Sequence, residues 1–252
     1  MRRFWIVAFV LLAFAVWGAS RIIALPTFRA TSIGVFGLSN DSHVSRADVL
    51  SRAAIDARGN VWLLDRGAIE RRIEAIPYVA TAHVGVRPPA AVTLDVRERT
   101  IDGCVRDGAG RIATIDADRR VLAERCDGPS APLYELHAPL DARAGTYVQN
   151  SELIALQNDR RVLAAGDSYR SFAHDAFGEL EATLRDGIVV KFGDDDDLDR
   201  KQRLVGPILA QVGGERRPIG ALDLRAPATP VVEYRPEFGA LKPVHPHPLN
   251  KL

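Results

Sequence analysis

The sequence predicts an α+β fold: a single N-terminal transmembrane helix, a βααββ unit, and then a β-rich domain with flanking helices. Three observations carry this. An uncharged apolar run opens the chain. Strand and helix patterns between Phe28 and Arg99 follow the order strand, helix, helix, strand, strand. From Thr100 to Arg235 strand patterns dominate. The 252 residues are 47% hydrophobic and 26% charged, which is the composition of a folded chain rather than a disordered one. A formal net charge of +1 argues against the clustered basic surface that non-specific nucleic-acid binding needs. Two cysteines are too few for a disulfide-dense scaffold or a four-cysteine zinc site, and they leave room for one disulfide.

The N-terminal element is the simplest to justify. Arg2 and Arg3 precede an uncharged stretch from Phe4 to Ser20; Arg21 follows, then Ile22–Leu25, and Pro26 closes the segment. A helix needs ~20 apolar residues to cross a bilayer core. Phe4–Leu25 meets that length if Arg21 snorkels to the headgroups. Trp5 and Trp17 suit the two interfaces. A cleaved signal peptide is the competing reading, but its apolar region would be unusually long, and cleavage after Ala19 puts bulky Trp17 at the minus-three position. The expectation is an uncleaved single span, with residues 1–3 as a short cytoplasmic tail and Thr27 onward outside the cytoplasm.

Local signals then set the βααββ order. Ile33 and Val35 alternate in the first strand, and Gly37 closes it. Ser45 can cap a helix with Asp48 as its capping-box partner; Val49, Ala53 and Ile55 form the apolar side. Asp65 can cap a second helix, where Ile69, Ile73 and Ile76 fall at helical spacing before Pro77. Strands are expected at His83–Val86 and Val92–Arg97, joined by a turn around Pro88-Pro89.

In the β-rich part, strands are expected at Cys104–Arg106, Arg111–Ile115 and Val121–Ala123. A helix is expected over Glu152–Ala165, with Leu153, Leu156 and Leu163 near one face. Asp186-Gly187 marks a hairpin between Ala182–Leu184 and Ile188–Phe192. A helix from about Leu198 carries Leu204, Val205, Ile208, Leu209 and Val212, and Pro207 should kink or interrupt it. Ala221–Arg225 and Val231–Arg235 are the last two strands, and residues 236–252 form a proline-rich tail expected to be disordered.

Catalytic, cofactor and metal patterns fail in context. Gly108-Ala-Gly110-Arg-Ile-Ala113 matches a dinucleotide fingerprint by letters, yet it leads into a strand where a helix is required, so a hairpin turn is the better reading. Asp194–Asp197 with Asp199 lacks the glycine and glutamate of a calcium loop and suits a helix N-terminus. His245 and His247 are read as tail residues. No Gly-x-Ser-x-Gly elbow or HExxH is present. No catalytic residue, metal ligand or cofactor is therefore expected.

The succession of motifs resembles the FtsQ/DivIB family of bacterial cell-division proteins. TSIGVFG resembles the family's opening strand, and GNVWLLD its segment between two helices. IEAIPYVATAHVGVRPPAAVTLDVRER resembles the run to the end of the POTRA domain, through Pro77, Val79, Ala82, Val84, Val96, Glu98 and Arg99. IDADRRVL resembles an "ID-x-x-G-x-V/L" segment, with Arg119 or Arg120 where glycine is usual. LRDGIVVKFGDDDDLDRKQRLVGPIL resembles the late hairpin and helix, including Gly193 and Lys201, and IGALDLRAPATPVV the last two strands.

The resemblance implies a POTRA domain at 28–99, a β domain at 100–235, no enzymatic activity and no cofactor. It implies a scaffold in the inner membrane at the division septum that binds FtsB/FtsL-type bitopic partners through the β domain, and other division proteins through the POTRA domain and span. The rival readings are another POTRA-bearing assembly or secretion factor, and an anchored extracytoplasmic enzyme. An open edge strand offers unpaired N–H and C=O groups to a partner strand. Leu224, Arg225, Val231, Val232, Glu233, Tyr234 and Arg235 are the expected partner-binding residues; the competing reading is an ordinary edge blunted by Pro230 and Pro236. Cys104 and Cys126 flank neighbouring strands, and either a disulfide or two buried thiols fits them.

Overall fold

The structure is a computed structural model, and it describes residues 9, 11–15, 17–18, 26–56, 59–128, 130–163, 168–214 and 218–235. The described residues between 9 and 18 are helical. Among the described residues no helix is long and apolar enough to cross a membrane. Much of the expected span Phe4–Leu25, and all of the tail 236–252, lies outside the described residues.

The chain forms two compact units. The first comprises residues 1–104, 112–129 and 140–149; the second comprises 105–111, 130–139 and 150–252.

In the first unit a short 3-10 turn at Pro26–Phe28 leads into β1 (Ser32–Phe36), α1 (Arg46–Ala53), α2 (Arg66–Glu74), β2 (Val79–Arg87) and β3 (Ala91–Glu98). This is the order expected from sequence. β3 lies at the centre of the three-stranded sheet, parallel to β1 and antiparallel to β2. Both helix starts are written in local chemistry. Ser45 Oγ accepts from the Asp48 N–H, and the Asp48 carboxylate accepts in return from the Ser45 N–H, a complete capping box. Asp65 Oδ1 accepts from the Ala68 N–H at 2.9 Å. Val49, Ala53, Ile69 and Ile73 turn one face of each helix onto Val84, Val92, Leu94 and Val96 of the sheet, and all of these are buried. Glu70 and Glu74 of α2 accept from the Val84 and Ala82 N–H groups of β2, so helix and strand run antiparallel.

Residues beyond Arg99 belong to the same core. β5 (Ile112–Asp116) pairs antiparallel with β6 (Val121–Ala123), and Leu122 and Ala123 join the buried cluster of the βααββ unit. Arg99 donates to the Val79 carbonyl and, at 2.6 Å, to Asp116 Oδ2. Asp116 Oδ1 meanwhile accepts from the N–H groups of Asp118 and Arg120, shaping the β5–β6 turn. That turn puts Arg119, rather than Arg120, at φ +65°, so Arg119 occupies the position where the resembled motif has glycine. Tyr78 donates to Asp127, and burial and the Asp127 carboxylate together push its phenol well above the usual tyrosine range. A disulfide joins Cys104, in β4 (Ile101–Arg106), to Cys126, with Cα atoms 5.5 Å apart.

The second unit orders its strands β12-β11-β10-β9-β8-β7, with the end of β4 beside β7. They are β7 (Leu133–Glu135), β8 (Tyr169–His174), β9 (Leu180–Leu184), β10 (Val189–Gly193), β11 (Ile219–Asp223) and β12 (Val231–Tyr234). Two neighbouring pairs, β7–β8 and β10–β11, are parallel. Parallel neighbours need a crossover, and helices α3 (Ser151–Val162) and α4 (Leu198–Val212) lie in those connections.

Three sequence expectations need adjustment. β7 and β8 were not foreseen. α4 runs unbroken from Leu198 to Val212 with Pro207 inside it, so no interruption occurs there. Its buried residues Leu198, Lys201 and Val205 all precede Pro207, which is itself exposed, so the missing N–H lies on the solvent side. Lastly, Leu204, Ile208, Leu209 and Val212 are only half-buried, and Val205 alone of the expected apolar side is fully covered.

The Cys104–Cys126 bridge closes 22 residues that include β5, β6 and their turn. In the chain-entropy model a loop of this size contributes about 3 kcal/mol. Protein isolated from its native cell without reductant should have a mass two hydrogens below the fully reduced chain. The Cys104→Ala/Cys126→Ala variant should unfold at correspondingly lower denaturant. Free thiols at both positions would contradict the bridge.

Candidate partner-binding edge

The candidate site is built by the last two strands. β10 pairs in parallel with β11, and β11 in turn pairs antiparallel with β12. The register sets Leu222 opposite Val232 and Asp223 opposite Val231, with an irregularity between Ile219 and Ala221. Among the described residues β12 ends the strand order, so one side of its backbone has no neighbouring strand. Val231 is 55% exposed, Glu233 and Arg235 are exposed, and Val232 and Tyr234 are half-buried.

Side chains pin this outer strand from beneath. Lys191 of β10 reaches Glu233 at 3.0 Å. The Arg235 guanidinium donates to the Gly187 carbonyl at the β9–β10 hairpin, and its backbone N–H donates to the Pro218 carbonyl. β12 is therefore held at both its centre and its end.

Two of the expected residues take other positions. β11 ends at Asp223, short of the expected Arg225, because the Asp223 carboxylate turns back to accept from the Arg225 N–H at 3.0 Å. Leu224 is then fully buried, and its N–H donates to the Lys191 carbonyl. Arg225 grips Asp223 through Nε and Nη2 and also approaches Glu179 at 3.5 Å. This hydrogen-bonded ion pair lowers the Asp223 carboxyl from its usual range and raises the guanidinium above its own. Val231, Val232, Glu233, Tyr234 and Arg235 thus share one edge strand, while Leu224 and Arg225 fasten the corner behind it.

Sequence reasoning missed the Lys191–Glu233 and Arg225–Glu179 contacts, which join residues 42 and 46 positions apart. It also missed the parallel β10–α4–β11 unit. The signal for that unit was available: a strand, a helix and a strand in succession across residues 189–223.

Comparison with known proteins places this architecture. Residues 32–99 match the POTRA domain of FtsQ type. Over 205 residues the chain is 24% identical to the cell division protein FtsQ of Syntrophotalea carbinolica, covering 77% of this chain and 70% of that protein. It is 24% identical over 208 residues to cell division protein FtsQ of Mycobacterium bovis, covering 82% of this chain and 62% of that one. The Myxococcus fulvus cell division protein FtsQ is 32% identical over 89 residues, covering 34% of this chain and 30% of that protein. The βααββ part is a POTRA domain of the FtsQ type. Over most of its length the chain is similar to the FtsQ cell-division proteins.

The low folded-state pKa of Asp223 gives a stability test. A depressed carboxylate contributes stability above the ordinary carboxylate range and loses it as pH falls through the folded value. Asp223→Asn should therefore unfold at lower denaturant than the parent at about pH 7, and the gap should close below about pH 4. A gap that does not change with pH would show that the charge on Asp223 contributes nothing.

Proposed function

We propose that this protein is a non-enzymatic, single-span membrane scaffold of the bacterial division machinery. Residues 4–25 anchor it in the inner membrane with the N-terminus cytoplasmic, and the two compact units stand outside the cytoplasm at the septum. FtsB/FtsL-type bitopic proteins add a strand to β12, while the POTRA domain and span meet other division proteins. The similarity to FtsQ cell-division proteins supports the setting. The terminal position of β12, with Val231 and Glu233 exposed, supports the mode of binding. Main-chain pairing supplies affinity along such an edge, and Tyr234 adds an aromatic anchor.

Depleting the protein in its native cell should give filaments, and the tagged protein should collect at midcell. Normal division on depletion would contradict the scaffold role. For the edge itself, Val232→Pro removes a ladder N–H and bends β12. Tyr234→Ala should weaken partner binding by ~2 kcal/mol, about thirtyfold. Truncation before Pro230 should abolish co-purification of the bitopic partners, whereas truncation after Arg235 should leave it intact. Circular dichroism verifies folding of each variant. A folded chain that lacks Pro230 onward and still retains its partners at full yield would move the interface elsewhere.

A further inference from the structure

One end of the POTRA domain gathers three segments. Pro26–Phe28 arrives from the apolar N-terminal run and docks on the turn that follows Gly59. The Val61 N–H donates to the Phe28 carbonyl at 2.9 Å, the Ala30 N–H donates to the Gly59 carbonyl at 3.1 Å, and Arg29 bridges to Asn60. The third segment, the β2–β3 connection, reaches the same end, where the Thr31 N–H donates to the Ala90 carbonyl.

The turn is rigidly built but carries its apolar side chains outward. Val61 is fully buried, Asn60 Oδ1 accepts from the Trp62 N–H at 2.8 Å, and Asp65 caps α2 immediately afterwards. Yet Trp62 is 48% exposed and Leu63 is 73% exposed. The Trp62 ring meets Phe28 edge-on, with centroids 6.5 Å apart. Nothing in the packing of a soluble domain calls for a pinned turn that presents tryptophan and leucine to solvent.

Chain length supplies the occupant. Phe28 follows Leu25, the last apolar residue of the N-terminal run, by three residues. Even fully extended these span at most about 10 Å, and at a 3-10 rise about 6 Å. The headgroup layer is itself roughly 5–8 Å thick on each side of the bilayer. Phe28 is therefore held within or at the outer border of the headgroup layer, and the Trp62 ring that meets it is within reach of that layer, where tryptophan partitions preferentially. In the sequence around these segments Arg29, Arg58, Arg66 and Arg87 outnumber Asp56 and Asp65, so basic charge adds to the apolar partition of Trp62 and Leu63 at an anionic lipid surface.

We infer that the Trp62–Leu63 turn seats in the lipid headgroup layer and fixes how the POTRA domain stands on the membrane. This rests on the single-span reading above.

The test uses the full chain reconstituted into phosphatidylethanolamine/phosphatidylglycerol vesicles, with Trp5→Phe and Trp17→Phe leaving Trp62 as the sole fluorophore. The control places Phe36→Trp in a Trp62→Phe background. Phe36 is 51% exposed at the far end of β1, about 13 Å from Ser32. Lipids brominated near the headgroup should quench Trp62 about twofold more than the control tryptophan, with a blue-shifted emission. Resistance to carbonate extraction reports insertion separately. An extractable chain overturns both the anchor and the inference. An inserted chain whose Trp62 is quenched no more than the control overturns the inference alone. Trp62 shielded from acrylamide yet untouched by brominated lipid would assign the turn to a protein partner or a second copy, and would likewise overturn it.

Discussion

The ion pair between Arg99 and Asp116 is the contact through which the first unit is tied together. Arg99 closes β3, and its guanidinium lies over the start of β2 through the Val79 carbonyl. Asp116 closes β5, and its other oxygen holds two N–H groups of the following turn. The side chains are 14% and 6% exposed, so the pair is largely removed from water. A buried carboxylate is tolerable only when its oxygens are all satisfied, and here they are. The pair thereby brings β5 and β6 against the POTRA sheet, where Leu122 and Ala123 can join its core. The disulfide and the Tyr78–Asp127 contact then fasten the same segment from the other side. Neighbouring Glu98 accepts from the Val44 N–H just ahead of α1. The adjacent residues Glu98 and Arg99 thus orient a helix entrance and the next hairpin.

The second unit repeats this logic with different residues. Lys201 is buried, and its ammonium donates to both the carbonyl and the carboxylate of Asp194 at the end of β10. This hydrogen-bonded ion pair depresses the Asp194 carboxyl and ties the first turn of α4 back to the strand it leaves. Gly193, at φ +77°, permits the chain to turn there, and an added Cβ would meet the Arg225 side chain at 2.9 Å. The crossover returns as β11, and Asp223 and Arg225 close the corner from which β12 departs. The edge proposed to receive a partner strand therefore stands on a connected set of charge contacts, and its own outer backbone is left open.

Much of this was legible in the sequence where the determinants are local. Ser45 with Asp48, Asp65 with Ala68, and the alternation of Val92, Leu94 and Val96 define the βααββ order without help from distant residues. The final two strands and the start of α4 were equally readable. β7 was not, because three residues, Leu133–Glu135, are too few to show a period. In β8, Tyr169 to His174, consecutive Phe172 and Ala173 break the alternation, so the strand is defined by its neighbours β7 and β9. Leu224 and Arg225 looked like strand residues until the Asp223 side chain turned back on the chain. The choice between disulfide and free thiols for Cys104 and Cys126 depended on how residue 126 returns to β4. Trp62 and Leu63 sat in a recognised segment, but their exposure is visible only once Val61 is seen to take the buried place.

A double-mutant cycle on Arg99 and Asp116 measures the central contact most directly. Full-length Arg99→Met, Asp116→Asn and the double variant would be unfolded in urea beside the parent. Each single change leaves a buried charge or hydrogen-bonding group unpaired and should cost about 3 kcal/mol. The double variant should cost well under the sum, giving a coupling energy of about 2 kcal/mol. Additivity within about 0.5 kcal/mol would show that the two side chains act independently, and that the POTRA domain and the β5–β6 hairpin are held together by something else.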